Sequence, residues 1–317
     1  MGRETRTLEI PFIKGSMGGN TIALLPGNAL PEEEALERVL LAIRDTHLAC
    51  HECGLVWPSS PAGGLRLKIV GRSSRGFISA CGGLTQVLGA AIGSGEFSRT
   101  FGFGPSGLSG LVLDTDAGPV RLAIGGTVDF PVTETDMTGF LAELRRDGIE
   151  RIDLDGTAAV RAGKFLVLCA DRLKGRFGED RVQKLAPEVR SALTAMQGIF
   201  LSRYREASLD FALYDLHPER PENLGRVVFP HWLEAGHVEP ACGTGTVAVC
   251  AALELERGIP RDEVVLRFES GGGPDLGGPD TTTAIIGPAG RDIDSIRFSH
   301  SRVEITSRGK VILKDTP

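Results

Sequence analysis

Two cysteines, Cys81 and Cys242, occur in matching sequence contexts. The segments 79–91 and 240–252 align without gaps, and in each a cysteine precedes glycine and a run of small and branched apolar residues. The identical pairs are Ala80/Ala241, Cys81/Cys242, Gly82/Gly243, Thr85/Thr246, Ala90/Ala251 and Ala91/Ala252. A single buried cysteine is usually a packing residue, whereas a repeated cysteine in matched surroundings favours a shared chemical role.

The chemistry follows from the position of each cysteine at the start of a predicted helix. The positive end of the helix dipole lowers the pKa of a thiol placed there. The uncovered N–H groups of the next residues can hold an anion. If two such helix ends face each other, a thiolate and a thiol flank a bound carboxylate. One sulfur then removes a proton from the adjacent carbon, and the other returns a proton to the opposite face.

We therefore predict that Cys81 and Cys242 are the catalytic acid and base, and that the reaction needs no metal and no organic cofactor. The backbone N–H groups predicted to hold the carboxylate, and to stabilise the negative charge of the transition state, belong to Gly82, Gly83, Gly243, Thr244 and Gly245.

The helices that begin at these cysteines are apolar on all sides, which is typical of helices that run through a domain interior. Around them, alternating apolar residues predict strands, and acidic or proline-led starts predict a few further helices. The predicted strands are two within 7–25 joined by a turn at 15–20, and others at 65–70, 112–124, 165–169, 195–201, 208–215 and 264–268, with a final hairpin of 301–305 and 310–313. The predicted helices are 31–43, 137–146 and 187–196. This irregular mixture predicts an α+β fold rather than a doubly wound parallel sheet.

Size and composition limit the classes of function. A chain of 317 residues is long enough for two domains. A net charge of −6, no long basic run and only 6% aromatic residues argue against a nucleic-acid partner. No apolar run approaches the ~20 residues that cross a bilayer, and the polar start of the chain does not resemble a signal peptide. We therefore expect a cytoplasmic protein that acts on a small molecule and has no membrane partner.

Three segments resemble motifs of the diaminopimelate epimerase superfamily, which includes proline racemases and other cofactor-independent isomerases. Residues 241–246 resemble the family's Ala-Cys-Gly-(Thr/Ser)-Gly element. Residues 81–83 are similar to the start of Cys-Gly-Asn-Gly, with Gly83 in the place of the asparagine. Residues 14–20 resemble a Lys-x-x-Gly-x-Gly-Asn segment, which implies that Asn20 contacts the substrate.

The resemblance implies two pseudo-symmetric domains, each a barrel-like mixed β-sheet around a central helix, with the active site in the cleft between them. The expected boundaries are 1–128, joined by the returning strand 301–317, and 129–300. The resemblance also implies a homodimer.

Other positions depart from the family pattern and predict a substrate other than diaminopimelate. Arg72 begins an Arg-Ser-Ser-Arg segment where Asn-Ala-Asp-Gly is expected, and Lys164 stands at an Asn-Pro-His element. Arg72 and Lys164 would suit an additional anionic group. The family's Glu-Arg pair has its nearest match in Glu234.

The sequence leaves three functions open. The first is a racemase or epimerase that inverts the α-carbon of an amino acid or related carboxylate. The second is a double-bond isomerase of an unsaturated di- or tricarboxylate that uses the same two thiols. The third is a ligand-binding homologue without catalysis, against which the presence of both thiols argues.

Several further residues have alternative interpretations. The cluster formed by His47, Cys50, His51, Glu52 and Cys53 is interpreted as lining of the cleft, as a zinc site or as a redox pair. His231, His237 and Glu239 precede the second catalytic cysteine. They are interpreted as stabilising its thiolate, as contacting a substrate amino group, or as ordinary loop residues. Cys169 and Cys250 lie in apolar surroundings, which predicts packing roles.

Overall fold

The computed structural model describes residues 7–30, 33–59, 64–71, 77–107, 110–205, 209–232, 237–258, 262–289 and 292–314. The chain divides into two compact units. The first unit comprises residues 1–17, 21–133 and 303–317, and the second comprises 18–20 and 134–302. Both units combine a mixed sheet with helices, which confirms the predicted α+β class.

The first unit is a mixed sheet that surrounds one helix. Its strands are β1 (Thr7–Met17), β2 (Asn20–Pro26), β3 (Glu52–Ser59), β4 (Gly64–Val70), β5 (Phe77–Ile78), β6 (Gly110–Thr115), β7 (Gly118–Gly126) and β18 (Val303–Lys314). Its helices are α1 (Glu33–Ala42), followed by a π-helical turn (Ile43–Leu48), α2 (Gly82–Gly93) and α3 (Glu96–Phe101). The pairing order is β18-β1-β2-β3-β4-β6-β7; β2–β3 and β4–β6 are parallel, and β5 pairs with β4.

Helix α2 is buried along its whole length, as its continuous apolar sequence predicts. The helix fits because glycines stand where the sheet approaches it. A Cβ at Gly54 in β3 would overlap the side chain of Leu84, and one at Gly15 in β1 would lie 2.6 Å from Val87 Cγ1. The sheet therefore fixes the position of the helix start that carries Cys81.

The second unit has the same plan. Its strands are β9 (Ile149–Leu154), β10 (Thr157–Ala162), β11 (Phe165–Cys169), β12 (Asp210–Asp215), β13 (Gly225–Trp232), β14 (His237–Glu239), β15 (Val264–Ser270), β16 (Asp280–Ala289) and β17 (Asp292–His300), to which the end of β8 (Pro131–Asp136) is added. Its helices are α4 (Thr138–Asp147), α5 (Asp171–Phe177), α6 (Glu179–Gln183), α7 (Pro187–Tyr204) and α8 (Gly243–Arg257). The pairing order is β9-β10-β11-β12-β13-β15-β16-β17-β8, and β14 pairs with β13.

The sequence repeat corresponds to a repeat of structure. In the first unit β2 and β3 are parallel, β4 is antiparallel to β3, β6 is parallel to β4, and β7 is antiparallel to β6. In the second unit β11, β12, β13, β15 and β16 follow the same pattern. In each unit a short strand, β5 or β14, leads into the cysteine and the buried helix. The two cysteines therefore occupy equivalent places in two copies of one unit.

Two predicted elements are wrong, and most of the others are confirmed within a few residues. The predicted strand 195–201 is part of α7, whose buried residues Val189, Leu193, Met196 and Phe200 recur at helical spacing. The predicted terminal hairpin is a single strand, β18, because residues 307–309 continue the pairing with β1 instead of turning. Within the described ranges, no helix has the length and apolar character needed to cross a membrane.

Candidate active site

Cys81 is the N-cap residue of α2. Its backbone is extended (φ −149°, ψ 108°), and its sulfur accepts a hydrogen bond from the N–H of Leu84 at 3.3 Å. The side chain is partly exposed. The first turn is closed by Thr85, whose hydroxyl donates to the carbonyl of Gly82 at 2.8 Å. The local geometry thus places a sulfur at the positive end of a buried helix.

Cys242 occupies the same position on α8. Its backbone is again extended (φ −144°, ψ 122°), and its sulfur accepts a hydrogen bond from the N–H of Gly245 at 3.4 Å. The hydroxyl of Thr244 lies 3.3 Å from the sulfur. A side chain at Gly245 would overlap the ring of Phe229, so this position requires glycine. Cys242 is only 9% exposed.

The hydrogen bonds to sulfur refine the predicted anion site. The first N–H groups of a helix have no acceptor within the helix. In α8, the N–H of Gly245 is directed at the Cys242 sulfur, so this group holds the thiol, and its contact with a carboxylate stays a prediction. The N–H groups of Gly82, Gly83, Gly243 and Thr244 remain predicted contacts for a carboxylate.

The predicted lowering of the thiol pKa is wrong for Cys242. Burial, followed by the negative charge of Glu239, raises the pKa of Cys242 well above its ordinary value. Hydrogen bonds from Thr244 and Gly245 act in the opposite direction but are outweighed. Cys242 is therefore protonated at neutral pH and is poised as an acid.

Glu239 connects the thiol to a buried polar network. The Asn20 amide donates to one carboxylate oxygen at 2.6 Å, and His231 Nε2 lies 3.0 Å from the other. The Cys242 thiol also hydrogen-bonds to this carboxylate. Glu239 is 3% exposed. Three donors thus surround one buried carboxylate, which satisfies a charge that would otherwise be costly to bury.

The tautomer of His231 follows from the hydrogen bond that its Nδ1 atom accepts. The backbone N–H of Phe211 donates to His231 Nδ1 at 2.9 Å, so this nitrogen presents its lone pair and the ring proton resides on Nε2. Burial lowers the pKa of His231, but the hydrogen bond and charge of Glu239 outweigh it and raise the pKa. A second ring proton on Nδ1 would break the hydrogen bond from the Phe211 N–H, so this hydrogen bond opposes protonation of the ring.

His231, Glu239 and Cys242 also have the donor atoms of a metal site, all within 4.8 Å of one another. These groups do not fit a metal ion. A metal on Nε2 of His231 would have to replace the ring proton while Phe211 keeps the Nδ1 lone pair, which would leave an imidazolate. A second group, Asp171, Asp215 and His217, is similarly unsuited because Asp215 is already paired with Lys174 and Arg226.

Lys164, predicted as a substrate contact, lies near Cys242 in an ion pair with Asp210 at 2.8 Å. The charge of Asp210 raises the pKa of Lys164 and outweighs the effect of burial. One oxygen of Asp210 is 3.9 Å from His231 Nδ1. No role was predicted for Asp210, which lies within the predicted alternating strand 208–215 and is the first residue of the buried strand β12. Contact of Lys164 with substrate stays a prediction.

Asn20 reaches Glu239 through a tight turn. Gly18 and Gly19 adopt left-handed conformations (φ 55° and 96°), which glycine accepts without strain. The N–H of Gly18 is bonded to the carbonyl of Arg302, and a Cβ at Gly19 would lie 3.1 Å from Pro240 Cγ. The turn therefore packs against the segment that leads into the second cysteine.

Two predicted contacts, Arg72 and Glu234, lie outside the described residues, as does the side chain of His237. The substrate contact of Glu234 therefore stays a prediction, and Glu239 is the glutamate that the structure places beside Cys242. The sequence contained the necessary signal, because Glu239 is only three positions before Cys242, but the three-residue strand β14 is too short to show a periodicity from which burial can be predicted.

The remaining cysteines divide into two kinds. Cys250 is 1% exposed inside α8, as predicted for a packing residue. Cys169 departs from that prediction, because it is partly exposed and lines a cavity of about 500 Å³ together with Tyr214 and Glu256. Among the described residues, the cluster around Cys50 and Cys53 brings no three candidate metal ligands together. His51 Nδ1 there accepts a hydrogen bond from the N–H of Thr21 at 3.1 Å.

Comparison with known proteins supports the fold and leaves the activity open. No protein-family model matches the sequence, and no curated protein sequence is similar to it. Among solved structures, a hydroxyproline epimerase from Agrobacterium vitis with bound trans-4-hydroxy-L-proline is similar, with a TM-score of 0.66 and 15% identity over 99% of this chain and 93% of that one.

Two further structures have the same architecture. A probable proline racemase from Agrobacterium radiobacter K84 with bound carbonate has a TM-score of 0.63 and 12% identity, covering 95% of this chain and 92% of that one. A methylitaconate-delta-isomerase has a TM-score of 0.55 and 11% identity, covering 97% and 96%. The chain therefore has the diaminopimelate epimerase-like fold that these epimerase, racemase and isomerase structures share.

Proposed function

We propose that this protein is a cofactor-independent racemase or epimerase that inverts the α-carbon of an amino acid or related carboxylate. The observation that carries the proposal is the pair of cysteines, each an N-cap with nearly the same backbone angles at the start of a buried helix in equivalent units. The proposal requires that the sulfurs of Cys81 and Cys242 meet one substrate carbon from opposite faces.

The two thiols have different starting roles in this mechanism. Because Cys242 is protonated at neutral pH, it acts as the acid for the first enantiomer, and Cys81 acts as the base. The Cys81 sulfur accepts the α-proton while the Cys242 thiol donates its proton to the opposite face. The free N–H groups of both helix starts bind the carboxylate and stabilise the negative charge that develops on it.

Glu239 controls the proton on Cys242. After Cys242 has donated its proton, its thiolate lies beside the Glu239 carboxylate, and the two negative charges repel each other. This repulsion favours return of a proton to the sulfur. Asn20 and the Nε2–H of His231 hold the carboxylate in place by hydrogen bonds. Glu239 and His231 are therefore positioning residues that favour the protonated form of the Cys242 thiol.

The cation of Lys164 beside Cys242 favours a substrate other than diaminopimelate. Lys164 lies close to Cys242 and pairs with Asp210, and Arg72 remains a predicted contact. A substrate with a second anionic or hydrogen-bonding group would suit Lys164. The second group of such a substrate would replace part of the contact that Asp210 makes with Lys164.

The test is incubation of the protein with a panel of L- and D-amino acids, including proline and hydroxyproline, in deuterium oxide. We expect at least one substrate to gain deuterium at the α-carbon and to lose optical activity. Cys81→Ser and Cys242→Ser are expected to abolish inversion, and Cys250→Ser is the matched control on the same helix as Cys242. Turnover that persists in both active-site variants would contradict the proposal.

A second candidate is double-bond isomerisation of an unsaturated di- or tricarboxylate, which uses the same thiols. Lys164 favours it, because a cation near the acid thiol would suit a second carboxylate. The similar methylitaconate-delta-isomerase structure shows that the fold can carry such an activity in another protein. Isomerisation changes ultraviolet absorbance and does not require loss of optical activity. If neither deuterium uptake nor an absorbance change is observed, the result favours a ligand-binding protein without catalysis.

A further inference from the structure

Cys50 and Cys53 form a buried pair of thiols in the first unit that takes no part in the proposed reaction. Cys50 follows the π-helical turn, and Cys53 is the second residue of β3. Their exposed fractions are 5% and 0%. The two side chains are hydrogen-bonded to each other, so that their sulfurs are neighbours inside the core.

The backbone holds the two cysteines differently. Cys53 is fixed between two strands, in register with Ala23 of β2 and Val70 of β4. Cys50 lies outside the strand, directly after Ala49, which has a left-handed conformation (φ 46°). A disulfide requires the two sulfurs to approach to about 2.05 Å. Cys50 lies outside the strand pairing, and its N–H is bonded to the carbonyl of Arg44 at 3.1 Å. The approach of the sulfurs therefore involves the end of the π-helical turn rather than a paired strand.

The charges around the pair are also asymmetric. Hydrogen bonding from the Cys53 thiol lowers the pKa of Cys50, and the nearby cations of Lys14 and Arg44 lower it further, which together outweigh burial. Lys14 is held close by donating to the carbonyl of Leu48 at 2.7 Å. Burial raises the pKa of Cys53 well above its ordinary value. Cys50 is therefore the better nucleophile, and Cys53 carries the proton.

We propose that Cys50 and Cys53 are a redox-active dithiol, which a small hydroperoxide oxidises to an intramolecular disulfide with Cys50 as the attacking thiol and Cys53 as the resolving thiol. This inference is independent of the proposed function, because neither cysteine belongs to the Cys81 or Cys242 site. The metal alternative is less favoured, since His51 Nδ1 already accepts a hydrogen bond from Thr21.

The reaction balances with hydrogen peroxide as the oxidant. The Cys50 thiolate attacks one peroxide oxygen, the O–O bond breaks, and hydroxide leaves to form water with a proton. Cys50 is then a sulfenic acid. The Cys53 sulfur loses its proton and attacks the Cys50 sulfur, the S–O bond breaks, and a second water forms. Two electrons pass from the sulfurs to peroxide, and one S–S bond is made.

The test uses the intact wild-type chain. The protein is exposed to hydrogen peroxide for increasing times, quenched with an alkylating reagent and digested with trypsin. The tryptic peptide 45–66 contains only these two cysteines. We expect this peptide to lose two hydrogen atoms and to escape alkylation, and dithiothreitol to restore it. A peptide that remains fully alkylated when Cys250 is already oxidised would overturn the proposal.

Cys250 is the internal control, because it is as buried as Cys50 but no neighbouring thiol affects its pKa. Burial raises the pKa of Cys250 to about 12, whereas that of Cys50 lies below its ordinary value of 9.0. The thiolate fractions then differ by about a thousandfold or more, and the lower nucleophilicity of the more acidic thiol reduces the expected rate difference to about 30-fold. Equal oxidation rates for Cys50 and Cys250 would contradict the proposal.

Two variants assign the order of attack. In Cys53→Ser, we expect dimedone to trap a sulfenic acid on Cys50, because no resolving thiol remains. In Cys50→Ser, we expect no adduct on Cys53. An adduct on Cys53 would show that the assigned order is wrong. Circular dichroism verifies that the variants fold, and the wild-type measurement decides the formation of the disulfide even if a variant does not.

Discussion

Replacement of Glu239 by glutamine tests the network that holds the second thiol. Glu239 accepts hydrogen bonds from Asn20, His231 and Cys242 on two carboxylate oxygens. Glutamine has nearly the same shape, but one of its two terminal atoms is an amide nitrogen that cannot accept. At least one buried donor would therefore face another donor.

The structure sets the expected size of two effects. A hydrogen bond to a buried charged group contributes about 1.5–3 kcal/mol, so Glu239→Gln should reduce the free energy of unfolding by about 2 kcal/mol. In addition, a carboxylate within 4.8 Å of the sulfur opposes the thiolate by about 3 kcal/mol at an effective dielectric constant of about 20. Loss of this charge should increase the alkylation rate of Cys242 by at least about tenfold.

The assay combines urea denaturation with iodoacetamide labelling at pH 8. Labelling of Cys242 is measured by mass spectrometry in the tryptic peptide 227–257, where fragmentation separates it from Cys250. Glu222→Gln, an exposed glutamate of the same unit, is the matched control. If Glu239→Gln has wild-type stability and leaves the alkylation of Cys242 unchanged, the described network and its effect on the thiol are refuted.

Two further predictions concern stability. Gly245→Ala should reduce the free energy of unfolding by about 1–3 kcal/mol in urea denaturation, because the new Cβ overlaps the Phe229 ring. The control is Gly198→Ala at a helical position with open space, which should increase the free energy of unfolding by about 0.5–1 kcal/mol. Equal effects of the two substitutions would contradict the packing described. Burial lowers the pKa of His300 to about 4, so the unfolded chain gains a proton first as pH falls, and stability should decrease by about 3 kcal/mol between pH 6.5 and 4. Urea titrations of wild type and His300→Gln across this range measure the effect, and identical pH slopes would show that His300 does not cause it.

The central helices could be predicted from sequence because repetition and apolar composition are local signals. Cys81 and Cys242 are matched by their neighbours, and both helices are buried as an apolar sequence requires. The strand predicted at 195–201 failed because alternation over a few residues also fits one face of α7, and only the longer spacing from Val189 to Phe200 distinguishes them. Residues 307–309 look like a turn in isolation, but their pairing with β1 is a long-range property.

The details of the site were harder to predict for a similar reason. The helix dipole is visible in sequence, and it alone predicts a more acidic Cys242. Burial and Glu239 reverse that direction, and both depend on how distant segments pack. The contact between Asn20 and Glu239 joins residues that are 219 positions apart. The sequence could therefore nominate individual residues, whereas their mutual effects required the folded structure.

The most direct test of the paired-thiol mechanism follows the initial phase of turnover in deuterium oxide, with one pure enantiomer of the substrate identified in the panel. If Cys81 removes the α-proton and Cys242 delivers a solvent-exchanged one, the first product formed carries deuterium while the recovered substrate stays unlabelled. The same pattern should disappear in both Cys81→Ser and Cys242→Ser. Equal early labelling of substrate and product would contradict the account, because it would mean that a single group handles the proton on both faces.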